Sequence, residues 1–400
     1  MLVRARFTMA ARFIPRQNMT RLVPRAVFKR GYLLKSARCL HMGEYFTRGR
    51  LSEIELQASV PLAGRKYLAS STSLGFPKYL SGPKDDFPML VKAKKGQETS
   101  MKHWALRSRE IIDQAYQRYE KSGTAVAILF RGLPNSDEKC LSEWVTNLGF
   151  EPFKYVGGVS PRYEVQQNVD DGAHDENVIT IEPHNEMSYS TSFPKIFIIS
   201  CLKKASWGGE TAICDNRKLH TSLDPVFVQK CEEKRIRYWN CLHSKDSDKN
   251  LYQSWQNRFR TEDKEKVVGF LEEKGYESLW EGNTLFYWHN TPPTVHHVKS
   301  GEKLWFNQLS AMHGSYYADM PCHDRLQLAN REYPCHSSYG DGVEFTSEEV
   351  DNHRRCIWEN AAGFDWQNGD ILFLDQLIVQ HSRLSYEGER RVGVSLLGYS

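Results

Sequence analysis

Two histidines and a glutamate, almost two hundred positions apart, set the strongest constraint on how this chain can fold. His184-x-Glu186 sits in ITIEPHNEMSYS, and His381 follows the apolar run LFLDQLIV near the C-terminal end. On an extended segment residues i and i+2 share a face. That spacing predicts that His184 and Glu186 reach one ion while Asn185 points away. One short segment cannot supply a triangle of ligands, so the third must come from a distant strand. His381, placed after a buried-strand pattern, qualifies. The fold has to bring these two stretches side by side.

Two imidazoles and one carboxylate are the ligand type of non-haem Fe(II) oxygenases, which keep coordination positions open. Zinc accepts the same donors, so a zinc-dependent hydrolase is an alternative, as is a non-catalytic binding protein on the same fold. Alone, H-x-E is a weak signal, because 14 histidines make chance matches common. His289 ends an apolar strand and reads as a packed ring. His296, His297 and His313 are likewise not expected to be ligands.

The formal charge of +4 is unevenly placed. Residues 1–43 hold ten Lys/Arg and no acid, and the rest of the chain carries 43 bases against 49 acids. The basicity therefore does not mark a nucleic-acid-binding face. An Arg-rich, acid-free N-terminal segment has the composition of a mitochondrial transit peptide; a disordered basic tail on a cytoplasmic protein is the alternative. Apolar runs such as Ile196–Leu202 are strand-length, far below the roughly 20 residues of a membrane helix. A soluble chain without membrane or nucleic-acid partners is expected. Nine scattered cysteines without a C-x-x-C pair argue against a disulfide framework or zinc ribbon.

Residues 1–50 read as leader and linker, and 51–400 as a single domain. Residues 51–100 look irregular, with loops and one or two short strands. Helical spacing of Ile111, Ile112, Ala115 and Tyr116 predicts a helix over 101–121, and 123–134 reads as a buried strand. Asn135 followed by Glu138 predicts a capped helix through Leu148. Residues 193–202 and 235–241 read as strands, and 215–230 as one helix. An amphipathic helix over 261–274 is expected to bury Val267, Val268, Phe270 and Leu271. Strands follow at 284–289 and 303–308, Thr346 with Glu349 opens a helix as a capping box, and 370–375 and 391–397 are the last strands. Central strands with peripheral helices and no βαβ alternation predict a mainly β fold around a jelly-roll, or double-stranded β-helix, core.

Five blocks carry a resemblance: HNEMSYS, PKIFIISCLKKASWGGETAICDNR, SWQNRFRTEDKEKV, SGEKLWFNQ and LDQLIVQHSRLSYEGERRVGVSL. In this order they resemble the taurine dioxygenase/clavaminate synthase-like family of Fe(II)- and 2-oxoglutarate-dependent oxygenases, over roughly residues 75–400. The resemblance implies that His184, Glu186 and His381 are metal ligands, leaving positions for the keto acid and O2. It implies Arg391 as the cation for the distal keto-acid carboxylate, which guanidinium grips bidentately. Arg390 remains a contender, because the histidine-to-arginine spacing varies in the family. Thr211 in WGGET matches a threonine that helps hold that carboxylate, with Gly208 and Gly209 as turn residues that aim it.

Trp305 and Asn307 match a cavity-lining block, and Arg162 and Tyr189 are substrate-side candidates. Asp375-Gln376 departs from the Asp-Asn common in the family, which puts one contact to the late histidine in question. The presence of Glu186 implies hydroxylation or a related oxidation rather than halogenation. The expected enzyme is thus an Fe(II)/2-oxoglutarate dioxygenase that releases succinate and CO2. It would oxidise an unactivated C–H bond of a small amino-acid-like or amine-bearing substrate. A homo-oligomer is compatible with the sequence.

Overall fold

The stretch Ile371–Asp375 (ILFLD) is buried along its whole length, as a strand covered on both faces requires. In the computed structural model, which describes residues 40–96, 99–154, 163–172, 175–249, 253–323 and 328–399, it lies inside an eight-stranded sheet. Ile196–Lys203 and Ala127–Arg131 flank it, both antiparallel. Beyond Ile196–Lys203 come Arg391–Leu397, Val169–Asp171 and Glu164–Gln166; beyond Ala127–Arg131 come Met89–Ala93 and Phe46–Arg48. The outer face is covered by the helices Met101–Ser122 and Glu138–Asn147, whose Trp104 packs on Phe46 and Trp144 on Phe130.

A second, four-stranded antiparallel sheet orders Ala361–Gly363, Ala212–Asp215, Val379–Arg383 and Ile181–His184. It faces the first sheet: the His381 ring stacks on Phe197, with centroids 3.7 Å apart. Two facing sheets of this kind make the jelly-roll core that strand patterning predicts. A third sheet, of Glu277–Glu281, Thr284–Thr291, Ile236–Leu242 and Cys335–Tyr339, is an addition to that core.

Local signals hold where side chains act on their own backbone. Thr346 and Glu349 form the expected reciprocal cap, and Gly123 ends the first long helix in the left-handed region. Other expectations are corrected by packing. Asp137, not Asn135, caps the helix Glu138–Asn147; Asn135 is buried and its amide donates to Ser200 Oγ at 2.6 Å. The helix expected over 215–230 is two helices, Asn216–Ser222 and Pro225–Lys234, because Leu223 is extended and Asp224-Pro225 starts afresh. Phe270 lies on the open side of Lys264–Glu273 and is 49% exposed, while Val267 and Leu271 are buried.

The expected boundary at residue 50 also shifts. The compact unit begins at Leu40, because Phe46 is a core side chain whose strand pairs with Met89–Ala93. Residues 1–39 of the expected leader lie outside the described residues. The eight described cysteines are all unbridged. Among the described residues no helix is long and apolar enough to cross a membrane.

Arg131 ties the sheet to its approach segment. It pairs with buried Asp370 at 2.7 Å and donates to the carbonyls of Glu53 and Asp365, both at 2.8 Å. Removing one partner strands the other charge in the interior. Asp370→Ala should therefore lower stability by about 3 kcal/mol or more, read as a shifted midpoint in urea unfolding.

Candidate metal centre

Ile181–His184 is anchored before it delivers its ligand. Glu182 is buried and pairs with Arg354 at 2.7 Å, while its carbonyl lies 2.8 Å from His184 Nδ1. A carbonyl can only accept, so Nδ1 carries the proton and Nε2 keeps its lone pair. That lone pair is on the side of Glu186, whose Oε2 is 3.7 Å from Nε2.

The strand stops at His184, and Glu186 sits in a turn in which Met187 has φ +57°. Strand alternation thus does not place Glu186; the turn does. His381 comes from the neighbouring strand, directly opposite His184, with ring centroids 4.5 Å apart. One ligand atom from each of the three lies within 4.8 Å of the others. Two nitrogens and one carboxylate on three corners of a buried site fit a divalent iron with open positions.

Side-chain amides join the two ligand segments. Gln376 Nε2 donates to the carbonyls of Glu186, at 3.1 Å, and Pro194. Asn185 turns away from the ligands, as expected, and donates to the carbonyls of Gln376 at 2.5 Å and Val379 at 3.3 Å. Gln308 and Asn216 complete the net on Asn185 and Leu377. Gln376 thus holds the Glu186 backbone rather than an imidazole. Just before it, Asp375 accepts from Tyr116, Tyr399 and the Leu377 backbone, fixing the corner that leads to His381.

The arginine expectation is corrected. Arg391 is exposed and pairs outward with Glu138 at 3.4 Å. Arg390 turns inward: by strand alternation it follows the face of Leu396, whose cross-strand partner Phe197 stacks on His381, while Arg391 follows Gly393 toward the outer helices. It lines a cavity of about 260 Å³ with Trp366, Trp207, Gly208 and Gly209. A Cβ at Gly209 (φ +73°) would lie 3.2 Å from Arg390 Cδ, so glycine is needed there for both backbone and space. Burial, helped by the charge of Arg383, lowers the Arg390 pKa to about 10. Thr211 is buried and accepts from Trp366 Nε1 at 3.2 Å, which places it behind the same cavity wall.

Arg383 is a residue the motif reading missed. It lies two positions after His381 on the same strand, is buried, and donates only to the carbonyls of Asp175, Glu176 and Ile179. The i, i+2 relation to His381 was the available signal. Among the described residues, neither Arg383 nor Arg390 has an ion-pair partner, and burial lowers both pKa values.

Other candidates are placed differently. Trp305 faces away from the metal side, donating to His353 Nε2 at 3.0 Å and stacking on His220. Asn307 serves its own loop: its amide donates to Pro293 O and its oxygen accepts from Leu309 N. Tyr189 is buried in the turn after Glu186, with its ring 6.2 Å from Tyr238. Arg162 lies outside the described residues.

His313, His336 and Glu344 also cluster. Yet backbone N–H groups of Ser315 and Gly314 donate to His313 Nδ1 and His336 Nδ1. In the neutral rings the protons then sit on Nε2, and no Nε2 lone pair is left for a metal. His297 is buried and bonded to Asp375 at 3.3 Å.

Residues 96–397 match the taurine catabolism dioxygenase TauD, TfdA family. The chain is 30% identical over 274 residues to the dapdiamide synthesis protein DdaC of Enterobacter agglomerans, covering 68% of this chain and 82% of that protein. It is 27% identical over 276 residues to a clavaminate synthase-like protein of Arabidopsis thaliana, covering 68% and 81%. Among solved structures, PvcB of Pseudomonas aeruginosa is similar over 82% of this chain and 93% of its own, at 12% identity and a TM-score of 0.43. AAD-2, solved with Mn(II) and N-oxalylglycine, is similar over 80% and 97%, at 13% identity and a TM-score of 0.43.

Isothermal titration with Mn(II) should show binding that His184→Ala abolishes. Gln376→Leu, which cuts the tie to the Glu186 carbonyl while keeping the ligands, should weaken it about 10-fold or more.

Proposed function

Because the chain belongs to the taurine catabolism dioxygenase TauD/TfdA family, we propose that His184, Glu186 and His381 hold its iron and that Arg390 holds its keto acid. The protein is an Fe(II)- and 2-oxoglutarate-dependent dioxygenase that oxidises a small molecule and releases succinate and CO2. Bound Fe(II) supplies dioxygen activation at the positions the three protein ligands leave open.

The chain's own contribution is placement and charge. The His184 imidazole is oriented by the Glu182 carbonyl, and the Glu186 turn is held by Gln376. Burial of Glu186 and His381 limits water around the ligands. The observation that carries the keto-acid assignment is Arg390, an inward guanidinium without an ion-pair partner among the described residues. A buried cation is costly unless an anion joins it, and a dicarboxylate supplies that anion. Arg383 adds a second positive charge to the same region, and Thr211 a hydroxyl behind its wall.

The substrate reading is a small amino-acid-like or amine-bearing molecule. Its support is the pair of curated relatives, named for dapdiamide synthesis and for likeness to clavaminate synthase. A mitochondrial destination is supported by the basic, acid-free composition of residues 1–43 alone. Fusing those residues to a fluorescent reporter should direct it to mitochondria; diffuse cytoplasmic signal would refute that destination.

With Mn(II) present, 2-oxoglutarate should raise the melting temperature of the wild type. Arg390→Ala should raise the concentration required by about 10-fold or more, as loss of a charged hydrogen-bond pair implies. Arg391→Ala should leave it unchanged. The reverse pattern would return the keto acid to Arg391.

A further inference from the structure

The third sheet turns one face toward the metal side. On that face Tyr238 and His289 are cross-strand partners. His289 Nε2 lies 2.5 Å from the Tyr189 carbonyl, and burial lowers the His289 pKa, so a neutral ring donates to it. Tyr238 Oη accepts from the Gln308 backbone at 2.9 Å, and Gln308 in turn holds Asn185. The sheet is thereby pinned against the turn that carries Glu186. Two residues along from His289, and so on the same face, stands Tyr287, which opposes Asn240.

Arg258 reaches this face from the short helix Trp255–Phe259. The helix is firmly seated: Ser254 caps it, Trp255 donates to Asn283 O and meets Trp280 edge-on, and Phe259 packs on Tyr287. Arg258 is half-buried, and among the described residues its guanidinium makes two long contacts, 3.4 Å to Tyr287 Oη and 3.3 Å to Gln253 Oε1. A guanidinium has five N–H donors, and bonds of this length are weak. Among the described residues no carboxylate pairs with it, whereas the half-buried Arg109, Arg118 and Arg217 each have one.

We propose that Arg258 is the substrate anchor: beside the Tyr287 hydroxyl it receives a carboxylate of the substrate, on the sheet that His289 and Tyr238 pin to the Glu186 turn. This rests on the oxygenase reading above and narrows its substrate class to molecules bearing a free carboxylate, α-amino acids first among them. Guanidinium binds carboxylate through two parallel N–H bonds, and a seated helix means little order is lost on binding. Arg258 is a specificity residue, distinct from the keto-acid site, where Arg390 serves the co-substrate.

The test uses the full-length enzyme with Fe(II) and 2-oxoglutarate, following succinate release with the proteinogenic L-amino acids and their α-carboxamides as probes. In the wild type, acids should stimulate release and the matching carboxamides should need about 30-fold higher concentration. Arg258→Met should raise KM for the stimulating acid about 30-fold with a smaller effect on kcat, and erase the preference over the carboxamide. Arg258→Lys should recover part of both. In each variant 2-oxoglutarate with Mn(II) should still raise the melting temperature, which shows a folded protein with an intact keto-acid site. The proposal is overturned if Arg258→Met keeps the acid preference, if acids and carboxamides act alike, or if no carboxylate probe stimulates. A wild type that 2-oxoglutarate fails to stabilise would sink the oxygenase reading itself, and this proposal with it.

Discussion

The centre of the molecule depends on one register: His381 opposite His184 on adjacent antiparallel strands. A slip of one residue would turn one imidazole to the other face of the sheet. What prevents the slip is not the short ladder alone, since Ile181–His184 has only four residues. The amide net of Asn185, Asn216, Gln308 and Gln376 binds the Glu186 turn to the corner before His381 through backbone carbonyls. The buried N–H donors of these amides all reach acceptors here, and a slipped register would leave them unpaired in the interior. The Asp375 cluster extends the same logic one residue upstream and ties in the C-terminal Tyr399.

Buried cations divide into two sets in this protein. Arg131 and Arg354 each meet a buried carboxylate at 2.7 Å, the first tying strand ends together and the second tying the helix Ser347–Asn360 to the strand Ile181–His184. Arg383 and Arg390, near the metal side, have no ion-pair partner among the described residues, and neither has the half-buried Arg258 on the third sheet. An uncompensated interior charge is expensive for a fold to keep. Its persistence beside a ligand triad is intelligible when anionic small molecules complete the site. The same contrast separates the outward Arg391, paired with Glu138, from its inward neighbour.

The third sheet is tied to the turn that carries Glu186. His289 and Tyr238 attach it to residues that also hold Asn185 and the Tyr189 turn. A ligand gripped from that sheet would therefore be positioned relative to Glu186 by a short chain of hydrogen bonds rather than by a loose loop. Trp305 and Asn307, which match a cavity-lining block in sequence, contribute instead to packing and to a loop.

The sequence by itself determined the residues of the candidate triad, the WGGET block with Thr211, the strand-rich centre and the Thr346–Glu349 cap. Each of these depends on side-chain type at short spacing, or on a side chain bonding its own backbone, and needs no knowledge of distant packing. Only the tertiary structure decided which of two adjacent arginines faces inward, that a turn rather than strand alternation aims Glu186, and that Arg258 has no carboxylate partner among the described residues. Alternation along a strand says that neighbours point opposite ways but not which way is in. That choice is made by what lies across the sheet, where Phe197 opposes Leu396 and stacks on His381, and so by residues far away in the chain.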